Sequence, residues 1–134
     1  MRGMLESLRQ VLAEDPRVAY ALLFGSSARG AAGPHSDVDV AVGLAAGARL
    51  SALELGALVA SMEDAAGKPV DLVLLDEAPP GLAYRIFRDG RTLVERDRRA
   101  MVHRKARAIL EYLDFQPFEE LFARGVLDAA AHGR

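Results

Sequence analysis

The hexapeptide "DVDVAV", Asp37 to Val42, constrains the fold more than any other stretch. It alternates strictly, so Val38, Val40 and Val42 share one face of an extended strand, and Asp37, Asp39 and Ala41 share the other. The valine face calls for a core to cover it. The opposite face carries two carboxylates about 6.6 Å apart along the backbone, which can lean toward a common centre. Left unpaired on a half-buried face, they would repel and incur a desolvation cost. A divalent cation between them removes both problems. Hard oxygen ligands in small number suit Mg²⁺, which keeps several waters and completes its shell from substrate phosphates.

The flanking segments supply strands and helices in alternation. "VAYALLF", Val18 to Phe24, is a short apolar run bounded by Pro16 and Gly25, and reads as a buried strand. "VDLVLL", after Pro69, reads as a third strand with Asp71 near its start. If it lies beside Asp37–Val42, Asp71 supplies a third carboxylate on the same face; Asp76 is the rival, at the strand's far end. Leu5, Leu8 and Leu12 have helical spacing, and Asp15-Pro16 ends that helix. Ser51 and Glu54 form a capping box ahead of the stripe Leu55, Leu58, Val59 and Met62, which stops near Gly67. "APPGLAYRIFRDG" reads as a short helix opened by proline and closed at Gly90. "TLVE" reads as a short edge strand. From Asp97 the pattern is helical, with Val102, Ala106, Ile109 and Leu113 in line. Asp114 to Pro117 interrupts it, and a last helix runs to Leu127. The expected fold class is α/β (α+β): a mixed sheet with helices packed on one face and C-terminal helices.

The 134 residues fit one domain, with a core over 16–96 and a C-terminal helical segment over 97–134. Apolar residues make up 51% and charged residues 27%, an ordinary soluble composition. A net charge of -2 gives no global basic field, so direct nucleic-acid binding is not expected. With no cysteine, this chain has no disulfide framework, no thiolate zinc site and no thiol catalysis. The opening "MRGMLESLRQ" is amphipathic and charged, unlike a secretory leader, and no apolar run approaches the roughly 20 residues of a membrane helix. The cytoplasm is the expected location.

The segment between the first two strands adds a second chemistry. Gly25-Ser26 turns from a strand into small residues, exposing backbone N–H groups where a helix starts, an arrangement suited to anions. Gly25 permits close approach of a phosphate, Ser26 adds a hydroxyl donor, and Arg29, one turn on, offers a planar fork. Ser36 either joins the nucleotide-binding set or caps the turn before Asp37. Together these residues outline nucleotidyl transfer, with two metals about 3.5–4 Å apart, one activating the attacking oxygen and one steadying the leaving group.

At these residues the chain resembles a known family. Gly25-Ser26, ten residues, then Asp37-x-Asp39 resembles the signature of the DNA polymerase β-like nucleotidyltransferases. The fuller "GSSARG…SDVDVAV" resembles the minimal nucleotidyltransferases, called MNT or MntA. The likeness runs from about Val18 to Glu95, including "PVDLVLLDEAPPGLAYRIFRDGRTLVER", and is looser in the C-terminal helices.

The resemblance implies the polymerase β-type nucleotidyltransferase fold, with ATP as substrate and Mg²⁺ as cofactor. It further implies an antitoxin paired with an all-helical HEPN ribonuclease toxin, moving AMP from ATP to a toxin tyrosine. On that pattern Asp37 and Asp39 bind Mg²⁺, Asp71 is ligand and base, and Gly25 and Ser26 hold the terminal phosphates. His35 matches no position in it. Two other readings stand beside it: a transferase acting on a small hydroxyl compound such as an aminoglycoside, and a non-catalytic antitoxin that only binds its partner. Arg98 and His103 carry the spacing of the HEPN ribonuclease motif, but they fall on a helix that follows a sheet, and no catalytic role is expected for them. "RDRR", Arg96 to Arg99, reads as a solvated helix start or a partner-facing patch, and Tyr112 and Phe115 as core or interface residues.

Overall fold

The computed structural model describes residues 2–28 and 36–131, with side-chain surroundings for 3–26, 28 and 36–114. The elements follow in the order α1 (Arg2–Glu14), β1 (Val18–Phe24), α2 (Gly25–Ala28), β2 (Val38–Leu44), α3 (Ala52–Ala66) and β3 (Val70–Leu74). A 3-10 turn (Leu75–Glu77) then leads to α4 (Pro80–Asp89), β4 (Arg91–Glu95) and α5 (Arg98–Ala131). The strands form one sheet in the order β3-β2-β1-β4. β1 is antiparallel to both β2 and β4, whereas β2 and β3 run parallel. That parallel pair needs a long crossover, which α3 provides. The mixed α+β sheet expected from the sequence is therefore present.

Local chemistry sets the boundaries of α3. The Ser51 hydroxyl accepts from the Glu54 N–H at 3.1 Å, and the Glu54 carboxylate accepts from the Ser51 N–H at 2.9 Å. At the other end Gly67 turns left-handed, and its N–H reaches the Glu63 carbonyl at 2.8 Å.

Strand alternation divides the core between the two faces of the sheet. Val38, Val40 and Val42 join Ala21 and Leu23 under α1 and α3, against Leu8, Leu12, Leu58 and Met62. Tyr20, Leu22 and Ala41 point the other way, toward Ala83, Ile86 and Phe87 of α4 and Ala108 of α5. The helices thus cover both faces of the sheet, a correction to the expectation that they gather on one. The cause is visible in β1, which is buried on both sides along Val18–Leu23 and so needs two layers to cover it.

α5 departs from expectation in its length. It runs unbroken from Arg98 to Ala131, so Asp114–Pro117 does not end it. A proline removes one backbone donor, and here the helix continues through that loss. The apolar residues that the sequence places in line along it face outward. Arg104 and Ala108 are buried, whereas Val102, Ile109 and Leu113 are exposed. Arg104 is held inside by donating to the Leu75 carbonyl at 2.8 Å, with Asp76 and Glu111 each 3.7 Å away. Tyr112 stacks on Tyr84 of α4 with ring centroids 4.2 Å apart, which fastens the two helices. The Phe115 side chain lies outside the described residues. Among the described residues no helix is long and apolar enough to cross a membrane.

Candidate active site

Register brings the acidic residues together. β2 and β3 pair in parallel with Asp39 opposite Asp71. Residues opposed in this way lie about 4.8 Å apart across the sheet and point to the same face. Asp37 precedes β2 by one residue and, two positions from Asp39, adjoins the same face. The start of β3 is fixed from two directions. The Val38 N–H donates to the Pro69 carbonyl at 3.0 Å, and the Glu63 carboxylate of α3 accepts from the Val70 N–H at 2.9 Å. Asp71 therefore sits at a position tied to both neighbouring elements. The rival Asp76 lies beyond the other end of β3, near Arg104.

Burial and charge act on this group together. Asp39 is half-buried, while Asp37 and Asp71 are exposed. Burial pushes the Asp39 carboxyl above its usual range, and the charges of Asp71 and then Asp37 push it further. Among the described residues, no group of three or more acidic or histidine side chains is placed to hold a metal ion as it stands. The three aspartates form an open, outward-facing row of hard oxygen donors. Such a donor set fits Mg²⁺, whose shell is completed by water and phosphate oxygens.

The Gly25 turn lies directly on this row. β1 and β2 pair with Phe24 opposite Asp39, so the residue after Phe24 must turn away beside the Asp39 side chain. Gly25 does so with φ +68°, a conformation that side chains disfavour. A Cβ at this position would collide with the Asp39 carboxylate. Gly25 is therefore required twice, by its backbone angle and by the space that Asp39 occupies. From the sequence, only the close approach of a phosphate calls for glycine here. The steric requirement depends on a strand pairing that residue spacing alone does not reveal. Ser26 follows in the short α2 and is half-buried, and Ser36 lies half-buried before Asp37. Arg29 and His35 lie outside the described residues. Arg98 and His103 are exposed on α5, and Arg98 approaches Glu95 at 3.6 Å.

A mixed sheet that sets three aspartates beside a glycine turn defines an α+β domain built around an acidic, turn-flanked site. Residues 6–99 match the family model described as Polymerase beta, Nucleotidyltransferase, and the chain belongs to that family. Its fold is similar to a chain of a toxin–antitoxin crystal structure with AMP-PNP, with a TM-score of 0.79 and 22% identity over 92% of this chain and 98% of the other. A toxin–antitoxin MntA–HepT structure aligns with a TM-score of 0.75 and 20% identity, over 95% and 99% of the two chains. A tri-AMPylated Shewanella oneidensis HEPN toxin in complex with its MNT antitoxin aligns with a TM-score of 0.74 and 21% identity, over 92% and 96%. At these identities the likeness is one of fold. No curated protein sequence matches the chain.

Proposed function

We propose that this chain is a Mg²⁺-dependent nucleotidyltransferase that moves AMP from ATP to a hydroxyl, a tyrosine, on an all-helical partner toxin, and so acts as an antitoxin. One observation carries the reading: Asp39 and Asp71 are paired in register while the Gly25 turn rests on Asp39. Family membership supports the reaction class. The solved complexes of similar fold, one with AMP-PNP and one with an AMPylated toxin, support the nucleotide and the kind of acceptor.

In this reading Asp37, Asp39 and Asp71 would hold Mg²⁺, which spreads the negative charge that builds on the triphosphate as it reacts. The remaining work falls to the protein's own groups. The Gly25 amide and the Ser26 hydroxyl hold the terminal phosphates and direct the α-phosphorus toward the acceptor. Arg29 and Ser36 complete the nucleotide contacts. Asp71, exposed at the rim of the row, takes the proton of the acceptor hydroxyl as its oxygen attacks in line and pyrophosphate departs. A site that opens outward suits an acceptor that brings its own binding surface.

The test is to incubate the purified helical partner with ATP and Mg²⁺ and measure its mass. A gain of one or more AMP units, abolished by Asp39→Ala, supports the proposal. A toxin silenced equally by wild type and Asp39→Ala, with no change in mass, leaves a binding antitoxin instead. Transfer to an aminoglycoside with none to the partner points to the small-molecule reading.

A further inference from the structure

The outward side of α5 carries an apolar stripe that the fold does not use. Helical spacing aligns Val102, Ala106, Ile109 and Leu113, with Leu110 at its border. Val102 is 52% exposed, Ile109 37%, Leu110 63% and Leu113 55%. Single exposed apolar residues are ordinary, but a continuous row along one helix marks an interaction surface. Cations border the row, Arg98 and Lys105 along one edge and Arg99 and Arg107 along the other. Arg98 and Arg107 each have a carboxylate 3.6 Å away. Among the described residues Arg99 and Lys105 have none within ion-pair range. A cleft of about 370 Å³ runs beside the row, lined by Leu22, Phe87, Met101 and Val102 and by Arg98, Lys105 and Glu95, the carboxylate that Arg98 approaches.

From this arrangement we infer that the outer face of α5 and its adjoining cleft are a docking surface for an amphipathic helix of the acceptor protein, one with an apolar stripe and acidic borders. The inference rests on the reading that the acceptor is a helical protein. Charge and shape select this occupant. A parallel pairing of two copies would set basic border against basic border. A bilayer is flat and would leave the cleft unfilled. A helix with leucines at i, i+4, i+7 and i+11 matches the row, and glutamates beside them meet the cations.

The first experiment uses the full chain and a labelled 20-residue peptide of that design. The control peptide carries lysine at every glutamate position. The glutamate peptide should bind saturably and weaken with salt, and the lysine peptide should not bind. Leu110→Glu and Lys105→Glu, both at exposed positions, should each weaken binding about tenfold or more, as interface anchors do. Circular dichroism confirms that both variants fold. With the helical partner protein, Leu110→Glu should raise the partner concentration needed for half-maximal AMP transfer and leave the rate at saturation unchanged.

Several results overturn the proposal. These are equal binding of the two peptides, partner affinity unaffected by Leu110→Glu, a wild-type dimer that Leu110→Glu dissociates, or anionic vesicle binding that Leu110→Glu removes. The docking surface and the chemistry fail separately. If the stripe variants weaken partner binding while the partner never gains AMP, docking stands and the transferase reading falls. If AMP transfer proceeds with the partner affinity of Leu110→Glu unchanged, the reverse holds.

Discussion

Gly25 and Asp39 occupy one small volume, and each explains the other. A methyl group at Gly25 would take up a left-handed backbone and also strike the Asp39 carboxylate. Gly25→Ala should therefore cost about 1–2 kcal/mol from the backbone alone, with more from the displaced carboxylate. Chemical denaturation measures the stability loss, and AMP transfer should fall in the same variant. Asp39 carries the opposite balance. Its carboxyl is raised by burial, then by Asp71 and Asp37, so ionisation opposes folding. A carboxylate whose folded pKa lies above its unfolded value gains stability as pH falls through the folded value. At pH 7 in the absence of divalent ions, Asp39→Asn should thus melt a few degrees higher than wild type, while transfer drops on the order of a hundredfold. An unchanged or lower melting temperature would contradict the repulsion assigned to this row. The acidic row was legible in the sequence because a strand's period of two places Asp37 and Asp39 on one face without further information. Asp71 was legible only conditionally, since its place depends on which strands are neighbours.

The elements followed the sequence where local chemistry decides them. Ser51 and Glu54 form both halves of the capping box read from their spacing. Ser51→Ala should cost about 1 kcal/mol, a value that urea midpoints resolve. β2 extends two residues past the alternating hexapeptide, through Gly43 and Leu44. That extension depends on a distant partner, because the Tyr20 ring lies where a Gly43 side chain would be. α5 shows where periodicity runs out. Apolar residues stand on both of its sides, Met101, Ala108 and Tyr112 inward and Val102, Ile109 and Leu113 outward. Spacing finds two stripes and cannot rank them. The inward side also buries Arg104, a residue that composition assigns to the surface. Its link to the Leu75 carbonyl is a long-range contact that no local pattern announces. The two-sided cover of the sheet is hidden in the sequence for a related reason. β1 is apolar throughout, and a continuous apolar run does not say that both of its faces are covered.

Across the whole molecule, acid acts on two carboxyl groups in opposite senses. The Arg17 side chain holds the Asp15 carboxyl below its usual range by hydrogen bonding to it, against the effect of burial. The Asp15 and Arg17 side chains approach at 2.7 Å, and Arg17 also reaches Glu54 of α3 at 3.0 Å, so the pair helps join the α1–β1 turn to the opposite helix. A carboxyl with a lowered folded pKa contributes stability above its unfolded value near 3.8 and loses it as pH falls further. Stability should therefore decline below about pH 4, and Asp15→Asn should flatten that decline while lowering stability at pH 7. Denaturation curves at a series of pH values check both. Asp39 opposes this trend, so Asp39→Asn should steepen the acid limb.

The most direct measurement is diffraction from crystals grown with Mn²⁺ and a non-hydrolysable ATP analogue, with data collected at the manganese edge. An anomalous peak in contact with Asp37, Asp39 and Asp71, with the triphosphate lying along Gly25 and Ser26, is the expected result. Manganese bound elsewhere, or a triphosphate remote from the Gly25 turn, would contradict the proposed chemistry.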